Sequence, residues 1–287
     1  MKKIVRSPGS ATIVNAISTG FGSAFGIGLN IEIEGKLSDS KIKCSSDIGA
    51  NTKLMEISIE NVLNFYKVET GVSLSTKTTL PQSSGLSSSS ALSNGVTRLV
   101  GELIAKEFNL KPLNPIEVIN LSIESSLMAK VSITGAFDDA TASYFGGVTV
   151  TNNINREIII KEKMKNHKIL IYLPNIISST ANSDVKKMKL ISSYVDLAFD
   201  FARKKDYFKA LTLNGLLYSA ALNFDSQIAI DALNSGAYAS GLSGTGSAFV
   251  AISNEEVKDD IIDAWSSYPG KVIETHVDNV GVKIISK

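Results

Sequence analysis

From Leu92 to Phe108 the apolar positions Leu92, Val96, Leu99, Val100, Leu103, Ile104 and Phe108 recur at steps of three, four and one. That spacing gathers them on one face and predicts an amphipathic helix. A second helix is expected from Pro115, a residue suited to a first helical turn, to Met128. Thr52 to Tyr66, with Leu54, Ile57, Val62, Leu63 and Phe65, also reads as helical. Alternation marks strands at Ile27 to Leu37 and at Val72 to Leu80 (VSLSTKTTL), and Tyr144 to Thr151 reads as a third.

The second half has a different order. His167 to Leu173 (HKILIYL) is a strand stopped by Pro174, and two or three helices fill Asn182 to Leu233. Ala248 to Ser253, Val272 to Val277 and Val282 to Ile285 read as strands, with a helix from Glu255 to Trp265 among them. The charged segment Arg156 to Lys165 reads as the join between the halves, giving units 1–160 and 161–287. Strands and helices mixed without regular alternation point to an α+β fold.

A chain of 287 residues is long enough for two cores. Its 29 Lys and Arg against 28 Asp and Glu leave a net charge of +1, which gives no electrostatic footprint for nucleic acid or an anionic membrane. A single cysteine, Cys44, excludes an intramolecular disulfide and fits the reducing cytoplasm. His167 and His276 stand apart from any cluster of Cys or His, against a zinc site, and read as a surface and a strand residue. Lys2, Lys3 and Arg6 precede an uncharged run from Ser7 to Ile31 that superficially resembles a leader or membrane span. Gly20, Gly22, Gly26, Gly28 and Asn15 make the run too polar and glycine-rich for either. It reads instead as a strand ending in a small-residue loop that admits a ligand close to backbone, with Ser18 to Gly28 able to hinge as a lid.

Three stretches carry candidate chemistry. PQSSGLSSSSALSNG, residues 81–95, lies between a strand and the strongest helix. A helix N-terminus offers unpaired N–H groups and partial positive charge, Gly85 admits a ligand to the backbone, and the serines add hydroxyls. Together these make a phosphate cradle. The lysine-containing GxxxxGK[ST] pattern is absent from the chain, so the loop is not of that type. The plainer explanation, a serine-rich turn with one serine capping the helix, stays open on spacing alone. In ITGAFDDATASYFGG, residues 133–147, Asp138 and Asp139 follow a glycine turn and are expected to precede a strand. Such a pair either caps a helix or supplies a carboxylate for proton transfer or a metal. SGLSGTGSAFVAI, residues 240–252, is a tight turn or a second phosphate-type loop.

The three motifs, in this order and at these separations, resemble the GHMP small-molecule kinase superfamily. Its central pattern P-x-x-x-G-L-[GS]-S-S-[AS] is filled by Pro81, Gly85, Leu86, Ser87, Ser88, Ser89 and Ser90. The resemblance runs from SPG at residues 7–9 to the last strands. Within the superfamily, SPGSATIVNAISTGFGSAFGIGL, GLSSSSA, KVSITGAFDDATASYFGG and GLSGTGSA are most similar to archaeal-type shikimate kinases. Many other members carry a basic residue after Pro-Gly and then a sugar-binding run. Here Ser10 follows Pro8 and Gly9, which speaks against a sugar kinase.

The resemblance implies two domains, a ribosomal-protein-like N-terminal one and a ferredoxin-like C-terminal one. It implies transfer of the ATP γ-phosphoryl group to the 3-hydroxyl of shikimate, with Mg2+, in aromatic amino-acid synthesis. Pro81, Gln82, Ser83, Ser84, Gly85, Leu86, Ser87, Ser88, Ser89, Ser90 and Ala91 would bind ATP. Ser89 and Glu124 would face the metal. Ser10, Asn15, Gly135, Gly244, Thr245 and Gly246 would shape the acceptor site. Asp139, eight residues before Gly147, fits the catalytic aspartate of several members, and Asp138 fits the homoserine kinase spacing, so the choice stays open. Arg6 and Lys130 are the candidates for pairing with the acceptor's carboxylate. A homoserine kinase and a non-catalytic metabolite sensor are the alternatives on the same fold. The assembly is left open, a homodimer included.

Overall fold

A computed structural model describes residues 2–39, 41–175 and 183–285. Strands β1 (Lys2–Val14) and β2 (Phe21–Ser38) form a long antiparallel hairpin, with Val5 opposite Ile33 and Thr12 opposite Ala24. The register shifts between Pro8 and Ser10, where Gly9 lies against Leu80 and the Leu86 carbonyl too closely for a Cβ. One edge of β2 takes β1. The other is divided: Ile31 to Ser38 pairs with β4 (Gly71–Thr78), and Phe21 to Phe25 pairs with β5 (Val148–Asn152). The sheet is completed by β3 (Lys43–Ser46) beside β4, β6 (Glu157–Glu162) beside β5, and β11 (Lys283–Ile284) beside β1.

Helices α1 (Lys53–Tyr66), α2 (Ser88–Glu107), α3 (Pro115–Met128) and α4 (Phe137–Phe145) cover this sheet, with α2 and α4 against β1 and β2. The buried stripe of α2 includes Val96, Leu99, Val100, Leu103 and Ile104, as the spacing predicts. Gly95 brings α2 onto β2, because a Cβ there would meet Ile33 at 2.2 Å. A capping box fixes the start of α3: Asn114 accepts from the Ile116 and Glu117 N–H groups, and Glu117 accepts from the Asn114 N–H.

The second sheet has the order β10-β7-β9-β8 and is antiparallel throughout, formed by β7 (Lys168–Pro174), β8 (Ala239–Leu242), β9 (Phe249–Ser253) and β10 (Gly270–His276). Between β7 and β8 run α5 (Val185–Leu190), α6 (Ser192–Arg203), α7 (Tyr207–Leu222) and α8 (Gln227–Asn234). With α9 (Lys258–Ser266) before β10, this is the ferredoxin-like β-α-β-β-α-β plan. The fold is α+β in two layered units, as expected. Helix α7 packs on β8 and on β1 and so joins them. Gly215 makes the β8 contact, where a Cβ would stand 2.4 Å from the Gly241 Cα.

Three expectations are corrected. Tyr144 and Phe145 do not open a strand but close α4, and the left-handed Gly146 and Gly147 turn the chain into β5 at Val148. Asp138 and Asp139 accordingly begin a helix. In the segment 156–165, half-buried Ile158 and Ile160 alternate with exposed Glu157, Ile159 and Lys161 to make β6. The strand β11 then returns the chain to the first sheet. Of the proposed lid, residues 21–28 belong to β2, and 22–27 are buried. Their glycines serve close packing, with Gly26 against the Asp278 carbonyl and Gly28 against the His276 ring. Among the described residues no helix is long and apolar enough to cross a membrane.

Candidate active site

The loop after β4 enters α2 through Ser87, which is left-handed (φ 57, ψ 33) and makes no side-chain cap. The N–H groups of the first turn, Ser88 to Ser90, have no carbonyl one turn earlier to bond, and no cap screens them from a ligand. Gly85 is required by conformation and by space. Its φ is +77, and a Cβ would stand 2.2 Å from the Ser243 carbonyl oxygen. The glycine-rich segment 243–248 is therefore a buttress behind the serine loop. Ser243 Oγ donates to the Gly85 carbonyl at 2.8 Å and accepts from the Thr12 N–H at 3.1 Å. The Ala248 N–H reaches the Ser84 carbonyl at 3.0 Å.

The two aspartates at the start of α4 point to different neighbours. Asp138 is buried, and its Oδ1 accepts from Asn153 Nδ2 at 2.8 Å. Gly22 makes room for it, since a Cβ there would stand 2.4 Å from Asp138 Oδ2. Asp139 faces the serine loop through Ser10. Ser10 Oγ donates to Ser87 Oγ at 2.7 Å and lies 3.4 Å from Asp139 Oδ1. Burial raises both carboxyls above their ordinary range, and the charge of Asp138 raises Asp139 further. The hydroxyls of Ser87, Ser10 and Thr12 oppose that rise at Asp139, and the Asn153 amide opposes it at Asp138. A carboxyl held near the middle of the pH scale beside an open helix N-terminus suits proton transfer.

A cavity of about 420 Å³ connects these parts. Ile31, Ile48, Leu54 and Leu80 give it an apolar wall. The serine loop, Asn15, Asp138, Asp139, Gly244 and Thr245 give it polar ones. Lys130, between α3 and α4, is the only basic residue lining it among the described residues. Behind Asn15 stands α7: Asn214 Oδ1 accepts from the Asn15 N–H at 3.1 Å, and the Tyr218 hydroxyl meets the Asn15 carbonyl at 3.3 Å.

Most of the residues singled out in the sequence converge here. Gln82, Ser83, Ser84, Gly85, Ser87, Ser88, Ser89 and Ser90 line the cavity with the two aspartates, Asn15, Gly244 and Thr245. Pro81, Leu86, Ala91 and Ser10 do not line it. The Pro81 carbonyl accepts from Ser84 Oγ, Leu86 sits in the core, the Ala91 carbonyl accepts from Ser7 Oγ, and Ser10 stands fully buried behind Ser87. Gly135 and Gly246 are packing positions, the first against Ile123 and the second against the Phe224 ring. Glu124 is exposed on α3 and pairs with Arg156 at 2.6 Å, away from the cavity lining. Arg6 is taken by Asp278 at 2.6 Å, which leaves Lys130 as the cation at the site. Thr12, Asn153 and Asn214 were not anticipated. Thr12 alternates with Ser10 along β1, a signal the sequence does carry, whereas nothing local marks the other two.

The chain matches the GHMP kinases N terminal domain over residues 53–147 and the GHMP kinases C terminal domain over residues 204–271. The shikimate kinase of Methanobrevibacter smithii is 58% identical over 288 residues, spanning 99% of this chain and 100% of the relative. The shikimate kinase of Methanothermobacter thermautotrophicus is 52% identical over 285 residues, spanning 99% of each. Among solved structures, the mevalonate kinase of Methanococcus jannaschii shares the fold with a TM-score of 0.77 at 17% identity, over 96% of this chain and 98% of that one.

Proposed function

The chain belongs to the GHMP kinases, and from that membership we propose that it transfers the γ-phosphoryl group of ATP to the 3-hydroxyl of shikimate, giving 3-phosphoshikimate and ADP. The observation that carries the reaction class is the link from Ser87 through Ser10 to Asp139, which sets a carboxyl beside the open N-terminus of α2. Full-length identity to shikimate kinases supports the acceptor.

Phosphoryl transfer asks a protein mainly for position and for stabilisation of charge on the phosphoryl oxygens. The N–H groups of Ser88, Ser89 and Ser90 would receive phosphate oxygens, and Gly85 lets the backbone approach them. The apolar wall of Ile31, Ile48, Leu54 and Leu80 suits the adenine ring. Asp139 accepts the proton of the attacking hydroxyl as the new oxygen–phosphorus bond forms and the bond to ADP breaks. Asn15, Gly244 and Thr245 would hold the acceptor's hydroxyls, and Lys130 its carboxylate.

Among the described residues no group of three or more His, Cys, Asp or Glu could by itself hold a metal ion. The Ser89 hydroxyl at the cavity wall is the protein's oxygen donor for Mg2+, an ion that takes few protein ligands when phosphates and water supply the rest. Bound there, the ion would neutralise charge on the phosphate oxygens. Residues 1–160 would form the nucleotide-binding unit and 161–287 the second unit, in a cytoplasmic enzyme of aromatic amino-acid synthesis.

ADP release measured with shikimate, L-homoserine, mevalonate and galactose tests the acceptor. Release with shikimate alone is expected. Release with L-homoserine alone gives the homoserine kinase, and binding of ATP and shikimate without ADP release gives the sensor.

A further inference from the structure

The hydroxyl of Thr12 is the least explained polar group at the site. Thr12 lies on β1, only 3% exposed, and borders the cavity. Its N–H is bonded to Ser243 Oγ at 3.1 Å, but its Oγ1 is buried with no hydrogen-bond partner. The surroundings on β1 are apolar, with Ala11, Ile13 and Val14 all fully buried. A valine would fill the same volume without orphaning a donor, so packing alone does not account for threonine.

Two relationships place that hydroxyl. Ser10 and Thr12 are two residues apart on one strand and share a face. Thr12 stands near enough to Asp139 to favour its charged form, after Ser87 and Ser10, although its hydroxyl is not in hydrogen-bond geometry with the carboxyl. A Cβ at Gly244 would stand 3.6 Å from Thr12 Oγ1, in van der Waals contact, so the glycine leaves that side of the hydroxyl uncovered. The Ser10 hydroxyl is already engaged with Ser87. Asp138, on the same helix, is the charged group facing Asp139, and Lys130 lines the same cavity. Ser10, Thr12 and Ser87, which face it from β1 and α2, carry no charge. We propose that Thr12 is a positioning residue for the transfer step: its hydroxyl donates to the Asp139 carboxylate and fixes which oxygen is presented to the acceptor. The inference rests on the kinase reading and on Asp139 as its base.

Thr12→Val and Thr12→Ser test it, with Thr12→Ala as a second deletion should the valine pack poorly. With the hydroxyl gone, the melting temperature is expected to change little, because in the resting geometry the hydroxyl makes no hydrogen bond and valine fills its volume. Turnover is expected to fall about tenfold with little change in the KM for shikimate, the scale of one hydrogen bond to a charged group. The acid limb of the turnover profile should move to higher pH, since the lost donor favoured the carboxylate. Thr12→Ser should restore both. Unchanged turnover and an unmoved limb in the deletions overturn the proposal, and so does a fall in turnover matched by lost stability with the limb unmoved. Should the wild-type protein release no ADP with shikimate, the acceptor reading fails separately. The titration of the Asp139 carboxyl carbon, followed by NMR, then decides: a higher midpoint in Thr12→Val supports the role, and an unchanged midpoint overturns it.

Discussion

The Gly85 Cα and the Ser243 carbonyl are packed so closely that a single added methyl would lie 2.2 Å from the oxygen. This contact seats the phosphate-type loop on the second glycine loop, which belongs to the other sheet's unit. Gly85→Ala must either push the buttress away or change a left-handed φ of +77. It should cost about 2–4 kcal/mol of stability, the sum of overpacking and backbone strain. ATP affinity should drop with it. Thermal unfolding and nucleotide titration check both.

The aspartate pair predicts a pH signature. Asp138 is the second cause, after burial, of the raised Asp139 carboxyl. Asp138→Asn should therefore move the acid limb of turnover to lower pH. Stability runs the other way from an ordinary carboxylate. Groups with a raised folded pKa stabilise most below their unfolded value, and that contribution is lost as pH rises through the folded one. Asp139→Asn should then melt a few degrees higher than wild type, about 2–4 °C, above neutral pH, while losing activity. Melting curves across pH give the answer, and a variant that melts lower than wild type at alkaline pH contradicts it.

Arg6 and Lys130 were equivalent candidates in the sequence, and the structure separates them. Lys130→Ala should raise the shikimate KM about tenfold or more with a smaller effect on turnover, as expected for a lost ion pair to substrate. Arg6→Ala should leave KM alone and destabilise by about 3 kcal/mol, because it strands the buried Asp278 carboxylate. Steady-state kinetics and denaturant unfolding on the two variants distinguish the roles.

Glu124→Gln should change little. Its exposed pair with Arg156 contributes about 0–1 kcal/mol, and the residue does not line the cavity. The Mg2+ concentration giving half-maximal turnover should match wild type, and a marked increase would return Glu124 to the metal.

What could be read from the sequence was local. The stripe of α2, the proline start of α3 and the glycine and serines of residues 81–90 each carry their own signal. The long strand β2 was only half read, because Gly22, Gly26 and Gly28 look like loop residues. They are small because Asp138, the Asp278 carbonyl and the His276 ring, all distant in sequence, press against them. Helix α4 was hidden for a related reason. Its nine residues are too few for a clear period, and the following glycine pair looks like part of a strand. The site's inner support, Asn153 on Asp138 and Asn214 behind Asn15, depends on contacts between distant segments and leaves almost no local pattern.

In the proposed reaction Asp139 serves phosphoryl transfer from ATP to shikimate. The direct measurement is turnover of shikimate, with ADP and phosphoshikimate quantified together, for wild type and Asp139→Asn side by side. Wild type should form the two products in equal amounts, and the variant should lose about 100-fold or more in turnover, the scale of one general base. Wild-type protein that makes no phosphoshikimate, or a variant that keeps near wild-type turnover, would contradict that role.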